Sequence, residues 1–252
     1  MSGEDARLII ITGGGRGIGA AVARLAGTRG YAVALNFLQN ESAARKVVDD
    51  IITSGGSAIS LKGNIAREED IIRLFEEAEK TFGPVYGLVN NAGITGGFAR
   101  VEQLQADNLI DALITNVAGT ILCAREAVKR MSTRNGRRGG SIVNISSLAA
   151  RTGGAGEWVH YAATKGAVNS FTIGLAREVA DEGIRVNAVA PGLIDTEIHA
   201  ANGAPDRLQL MSPSIPLRRP GTALEVAEGV VWLLSDAASY TTGAILEIGG
   251  GR

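Results

Sequence analysis

Short apolar runs alternate with helical patterns along the whole chain. Residues 8–11 form an unbroken apolar run of the buried-strand kind, and 17–29 can form the helix that follows. The strand signal returns at 31–36, and Val47, Val48, Ile51 and Ile52 then recur at helical spacing. A third strand falls at 58–61, followed by a helix marked by Ile71, Leu74, Phe75 and Ala78, and a fourth strand at 85–90. Leu109, Leu113, Val117, Ile121, Ala124 and Val128 trace one stripe of a long helix, 107–131. A fifth strand (141–146), a second long helix (161–179) and a sixth strand (184–190) come next. Val226, Val230 and Leu234 mark one more helix before a closing strand at 244–248.

This alternation predicts an α/β fold, a Rossmann-type doubly wound parallel sheet of seven strands with helices on both faces. No linker or repeat interrupts residues 1–252, so a single domain is expected. The longest stretch without periodicity is 192–221, which holds Pro205, Pro213, Pro216 and Pro220. A loop of that length in a compact domain is usually functional, and a substrate lid is the expectation.

Composition narrows the function. The 252 residues are 45% hydrophobic and 20% charged, enough apolar content for a large core and too much for a disordered chain. Net charge is −1, so the basic excess of a nucleic-acid binder is missing. The basic run 134–138 reads as a solvated loop. The single cysteine, Cys123, sits among apolar residues and reads as a small core side chain. It permits no internal disulfide, which fits a reducing compartment. His160 and His199 have no partners at metal-ligand spacing, so no metal site is expected. Neither a signal peptide nor an apolar run of about 20 residues appears, so no membrane association and a cytoplasmic location are expected.

The first strand runs directly into Thr12-Gly13-Gly14-Gly15-Arg16-Gly17-Ile18-Gly19 and then a helix. Glycines let a backbone approach phosphates closely, and a helix N-terminus favours negative charge, so this turn can seat a dinucleotide. The same turn can also do no more than pack a helix on a strand. At the end of the second strand stand Asn36-Phe37-Leu38-Gln39-Asn40, with no acid before Glu41 to bind ribose hydroxyls. Arg16, in the glycine turn, can pair with a 2′-phosphate. NADP(H) is therefore favoured, with NAD(H) still open because no basic residue follows the second strand before Arg45.

Tyr161 and Lys165 are four positions apart and share one helix face. A cation close to a phenol favours the phenolate and lowers a pKa that is ordinarily about 10. Such a pair is suited to moving a proton.

These motifs resemble, in order and over essentially the whole chain, those of the short-chain dehydrogenases/reductases. The segment 12–19 matches the TGxxxGxG turn, Asn90-Asn91-Ala92-Gly93 the NNAG motif, Asn116 the helical asparagine, and Ser147 the serine. Tyr161 with Lys165 matches YxxxK, and Pro191-Gly192 the PG motif. The chain looks most similar to the glucose-1-dehydrogenase and 3-oxoacyl-acyl-carrier-protein reductase types. The resemblance implies an oxidoreductase interconverting a carbonyl and a secondary alcohol. In it Tyr161 would exchange the proton and Ser147 would position the oxygen. Lys165 would depress the tyrosine pKa and hold the nicotinamide ribose, and Asn116 would hold a water linking Lys165 to solvent. Ser146 is adjacent, and Ser147 is preferred because it lies fourteen residues before Tyr161, nearer the family spacing.

The implied cofactor contacts are Gly13, Gly15, Arg16, Gly17, Ile18 and Gly19; Asn36 and Phe37; and Asn64 and Ile65, where the family often has Asp-Val or Asp-Ile. Asn91, Ala92, Gly93, Tyr161, Lys165, Pro191, Gly192, Ile194 and Thr196 complete them. Asn90 to Gly93 can alternatively just cap a strand. The expected partners are a small carbonyl or alcohol and further copies of the chain, in a homotetramer. Glu157, Trp158 and Val159 either line the substrate pocket or pack, and the segment 153–159 looks longer than in many relatives. His160 points away from its catalytic neighbour, and His199 reads as a surface position in the lid. The alternative from another class is a catalytically silent dinucleotide-binding regulator or scaffold. An epimerase or dehydratase would need a separate substrate domain.

Overall fold

Leu-Ile-Ile-Ile at β1 (Leu8–Ile11) has no polar position, and all four residues are buried. A strand covered on both faces has this pattern, because a helix layer lies on each side. Odd and even residues go to different cores: Ile9 and Ile11 to one, Leu8 and Ile10 to the other. The computed structural model describes residues 6–197 and 206–252.

Six strands join β1: β2 (Ala32–Phe37), β3 (Ser57–Lys62), β4 (Val85–Asn90), β5 (Gly140–Ile145), β6 (Ile184–Pro191) and, near the C-terminus, β9 (Ile245–Ile248). They form one sheet in the order β3-β2-β1-β4-β5-β6-β9, every pair parallel. On one face lie α1 (Gly17–Thr28), α2 (Glu41–Thr53) and the helix Ala223–Leu234. On the other lie α3 (Glu68–Phe82), α5 (Thr120–Met131) and α7 (Val159–Glu178). The expected fold is the observed one, and the main-sheet strand boundaries agree with the apolar runs to within one residue. No helix among the described residues is long and apolar enough to cross a membrane.

The helix expected over 107–131 is interrupted. It consists of α4 (Ala106–Leu113), a π-helical turn at Ile114–Gly119, and α5. The apolar stripe read from the sequence is only in part the buried one: Ala124 is buried and Val128 packs against the core. Leu113 and Ile121 are 43% and 38% exposed, while Ala112, Asn116, Gly119, Cys123 and Ala127 face inward. Small residues let this helix lie close to the sheet: a Cβ on Gly119 would meet the Ile65 carbonyl oxygen at 2.8 Å.

Strands β7 (Ile194–Asp195) and β8 (Gly221–Thr222) pair with each other and pin both ends of the segment 192–221. Between them lie the short helix Arg207–Met211 and a 3₁₀ turn at Ser212–Ser214. His199 falls outside the described residues.

Candidate active site

The turn after β1 is held by the chain that leaves β4. Asn91 Nδ2 donates to the Thr12 and Gly13 carbonyls, both at 3.0 Å, and the Asn91 and Ala92 amides donate to Thr12 Oγ1 at 3.0 and 3.1 Å. Gly13 takes φ +64°, a conformation that disfavours any side chain. A Cβ on Gly19 would lie 2.5 Å from Asn91 Nδ2 and closer still to the Gly13 carbonyl oxygen. Gly13, Gly15, Arg16, Gly17, Ile18 and Gly19 are thus bent round the N-terminus of α1, whose N-cap, Arg16, makes no side-chain cap bond. Uncapped first-turn amides at a backbone with no room for side chains suit an anion, so the residues present fit a dinucleotide pyrophosphate. Thr196 lies beside this turn, its Cγ2 3.6 Å from where a Gly17 Cβ would stand.

At the end of β2, Asn36 is buried and its carboxamide is fully engaged. Its Oδ1 accepts from the Gly13 amide at 3.4 Å, and Nδ2 donates to the Gly63 carbonyl at 2.9 Å and the Leu61 carbonyl at 3.3 Å. It ties the glycine turn to the end of β3. Beyond it opens a groove of ≈ 830 Å³ lined by Phe37, Lys62, Asn64 and Arg67 among others. Asn64 Oδ1 accepts from the Ala66 amide at 3.0 Å, shaping the turn into α3, and Ile65 is buried. Glu41, the first acid after β2, is paired with Arg45 at 2.6 Å.

The third group converges at the carboxyl ends of β4 and β5. Ser147 hydrogen-bonds the Tyr161 hydroxyl, and its Oγ also accepts from the Ala149 amide at 3.1 Å. Ser146 faces the other way: it is 2% exposed and donates to the Lys165 carbonyl at 3.3 Å. Ser147 is therefore the serine that reaches the tyrosine. Lys165 is 5% exposed, donates to the Ile145 carbonyl at 2.7 Å, and sits 5.7 Å from the Tyr161 ring centroid. It also borders Gly93, where an added Cβ would stand 3.6 Å from Nζ. No carboxylate among the described residues pairs with it. A buried cation without a counter-charge is costly, and such groups concentrate at functional sites.

The expected depression of the phenol pKa is not what this arrangement gives. Burial is the largest influence and pushes the Tyr161 hydroxyl up to about 12, and the group that opposes it is Ser147. Burial also pulls the Lys165 ammonium down to about 8. The cation faces the Ile145 carbonyl and the tyrosine ring, and desolvation outweighs its pull on the phenol.

Asn116 lies in the π turn and borders Gly93, as Lys165 does. Its Oδ1 accepts from the Ile94 amide and its Nδ2 donates to the Ile94 carbonyl, both at 2.8 Å, with a further bond from Nδ2 to Thr164 Oγ1 at 3.0 Å. The carboxamide thus fastens the chain after Gly93 to α7, and a second lone pair remains on Oδ1. Pro191 and Gly192 receive the turn after β5: the Leu148 amide donates to the Pro191 carbonyl and the Gly192 amide to the Ile248 carbonyl, each at 2.9 Å. Ile194 is buried next to them.

Known proteins arrange these elements in the same way. A family model described as enoyl-(acyl carrier protein) reductase matches residues 13–252. The uncharacterized oxidoreductase YgfF of Escherichia coli is 48% identical over 245 residues, 97% of this chain and 99% of that protein. The 3-oxoacyl-[acyl-carrier-protein] reductase of Bos taurus is 39% identical over 245 residues, 97% of each chain. The chain belongs to the short-chain dehydrogenase/reductase family. Among solved structures, a blue fluorescent protein from a metagenomic library, in complex with NADPH, superposes with a TM-score of 0.89 at 30% identity, covering 97% of each chain.

As a member of this family the protein is an oxidoreductase that interconverts carbonyl and alcohol with a nicotinamide dinucleotide. The silent-scaffold alternative finds no support. The pattern reading missed two residues of this dehydrogenase/reductase, Phe98 and Arg207. Phe98 stacks on Trp158 with centroids 4.3 Å apart, and Trp158 meets Tyr161 edge-on at 5.9 Å. The Arg207 guanidinium lies 4.6 Å from the Trp158 centroid and forms a two-point pair with Glu157 at 2.9 and 2.6 Å. These residues come from three separate segments, and no local pattern links them. The remaining signal is an aromatic residue, Phe98, in an otherwise small and polar loop.

Proposed function

We propose that this protein reduces a small carbonyl compound, or oxidises the matching secondary alcohol, with Tyr161 as general acid and base. The Ser147–Tyr161–Lys165 cluster carries this reading: a hydroxyl, a phenol and a solvent-shielded cation gathered at the strand ends where such sheets bind ligands. Gly13, Gly15, Gly17, Ile18 and Gly19 would hold the pyrophosphate. Asn36, Phe37, Asn64 and Ile65 would border the adenosine. Asn91, Ala92, Gly93, Tyr161 and Lys165 would face the nicotinamide ribose, and Pro191, Gly192, Ile194 and Thr196 the carboxamide. Bound there, the dinucleotide supplies or accepts the hydride.

Tyr161 keeps its proton at neutral pH and is ready to donate it. As charge grows on the carbonyl oxygen, Ser147 hydrogen-bonds it and Tyr161 gives up its proton. The phenolate left behind is stabilised by the Lys165 charge, an interaction that gains strength only as the negative charge appears. Asn116 fixes Ile94 and Thr164 beside Lys165 and would hold a water linking Lys165 to solvent. A panel of ketones, aldehydes, sugars and acyl thioesters, followed by nicotinamide absorbance, tests the reading. Turnover of none of them would overturn it.

Because the Lys165 charge fades above about pH 8, reductive kcat is expected to fall as pH rises through that value. Lys165→Arg, whose charge persists, should remove that limb of the profile even where its overall rate is low. An unchanged limb in the arginine variant would assign it to another group.

The cofactor in this reading is NADP(H). Arg16 is exposed, without an ion pair among the described residues, and no free acid stands at the end of β2. The NADPH bound by the metagenomic relative supports the same choice. Arg16→Ala should lower kcat/KM for NADPH by about tenfold or more and leave NADH less affected, the scale of a lost charge-assisted bond. Wild-type preference for NADH would contradict the assignment.

The protein acts in this reading as a homotetramer in the cytoplasm. Ile110, Leu113, Ile114 and Ile121 are exposed together along α4 and α5, and Trp232 is exposed on the helix that covers β9. A monomer by sedimentation at micromolar concentration would rule the assembly out. The lone thiol, Cys123, is buried and pushed up to about 12 by burial, which suits a reducing compartment. Secretion of the intact chain, followed by cell fractionation, would contradict that placement.

A further inference from the structure

Beside Tyr161 lies a polar arrangement that the proton-transfer reading does not use. Trp158 immediately precedes α7, and Phe98 and Arg207 stack against it from two other segments. The Ala99 amide donates to the Glu157 carbonyl at 3.0 Å and joins the first two of these segments. Arg207, in the helix of the 192–221 segment, reaches over both rings and pairs with Glu157 through Nη1 and Nη2. Its side chain is only 11% exposed.

Two donors in this stack have no partner. Trp158 Nε1 and Arg207 Nε are both fully sheltered from solvent and hydrogen-bond to nothing among the described residues. Each such donor costs about 1–3 kcal/mol. They sit on residues stacked 4.6 Å apart, next to the tyrosine that handles the reacting oxygen. The stack therefore carries a penalty that an acceptor oxygen would remove. Glu157 already balances the Arg207 charge, and its own carboxyl is held below the usual range by that pair. An anionic acceptor is not required.

We propose that Trp158 and Arg207 are specificity-determining residues that take a second oxygen of the substrate. The preferred substrate class is then a small uncharged ketone with a neighbouring carbonyl, hydroxyl or ester oxygen. The short reach follows from the 5.9 Å between the Trp158 and Tyr161 rings. This inference rests on the proposed carbonyl reduction.

The test compares butanone with 2,3-butanedione and 3-hydroxybutanone. Wild type should favour the two-oxygen compounds by about tenfold or more in kcat/KM. Trp158→Phe keeps the ring and removes the N–H, and Arg207→Leu removes the second donor. Each should lower kcat/KM for the two-oxygen compounds about fivefold more than for butanone. A binding readout stands apart from turnover. In a Trp232→Phe background Trp158 is the only tryptophan, and its fluorescence should report 2,3-butanedione at least fivefold tighter than butanone, a difference lost with Arg207→Leu. Equal wild-type preference, or variants that lower all three compounds alike, would overturn the inference while leaving carbonyl reduction intact. Failure of every carbonyl in the panel would instead count against the reaction, with the fluorescence titration still deciding the fate of the two donors.

Discussion

Tyr161→Phe is expected to lower kcat about 10³-fold or more while dinucleotide affinity changes little. The variant removes one oxygen from a buried site and keeps the ring that Trp158 meets edge-on and that Lys165 faces. Packing is preserved, and with the phenol gone Ser147 still accepts from the Ala149 amide. What disappears is the proton donor. General acid–base catalysis by a placed group is worth about 10²–10⁴-fold, and among the described residues no other titratable side chain is hydrogen-bonded to the Ser147 hydroxyl. Ser147→Ala should cost less, about 10²-fold, because it removes one donor to the developing oxyanion and leaves the proton source in place.

The second large effect is expected at the glycine turn. Gly19→Ala should weaken dinucleotide binding about 10²-fold in a fluorescence titration and lower thermal stability. The new methyl would stand 2.5 Å from Asn91 Nδ2 and nearer to the Gly13 carbonyl, and neither is the free end of a flexible chain. Asn91 is held by its bonds to the Thr12 and Gly13 carbonyls, and Gly13 by its positive φ. The strain must therefore move the turn whose amides face the phosphates, at about 1–3 kcal/mol for overpacking. Gly174→Ala is the contrast. Nothing lies within 4 Å of its Cβ position on α7, so the same change should be neutral or stabilising by about 0.5–1 kcal/mol. Equal loss of affinity in both variants would show that the turn is not special.

Much of this was readable in the chain because the sheet is parallel. Strands buried on both faces are written as unbroken apolar runs, and Leu8–Ile11 and Ile184–Pro191 could hardly be anything else. Tyr161 and Lys165 were legible because four residues on a helix fix their juxtaposition. The π turn at Ile114–Gly119 was not legible. No proline or charge marks it, so a regular stripe from Leu109 to Val128 looked sufficient. The sign of the Tyr161 pKa shift was also out of reach. It depends on how completely both groups leave water, which the spacing of two residues does not encode. The Arg207–Trp158–Phe98 stack required three segments to meet, Phe98 lying 60 residues before Trp158 and Arg207 49 after it.

The most direct measurement is a single-turnover stopped-flow experiment on wild type and Tyr161→Phe. Both are loaded with NADPH to equal occupancy, verified by fluorescence, and mixed with a saturating carbonyl substrate found in the panel. Proton donation by Tyr161 predicts rapid loss of nicotinamide absorbance in wild type and a rate at least about 10³-fold slower in the variant. Comparable rates at equal occupancy would contradict it.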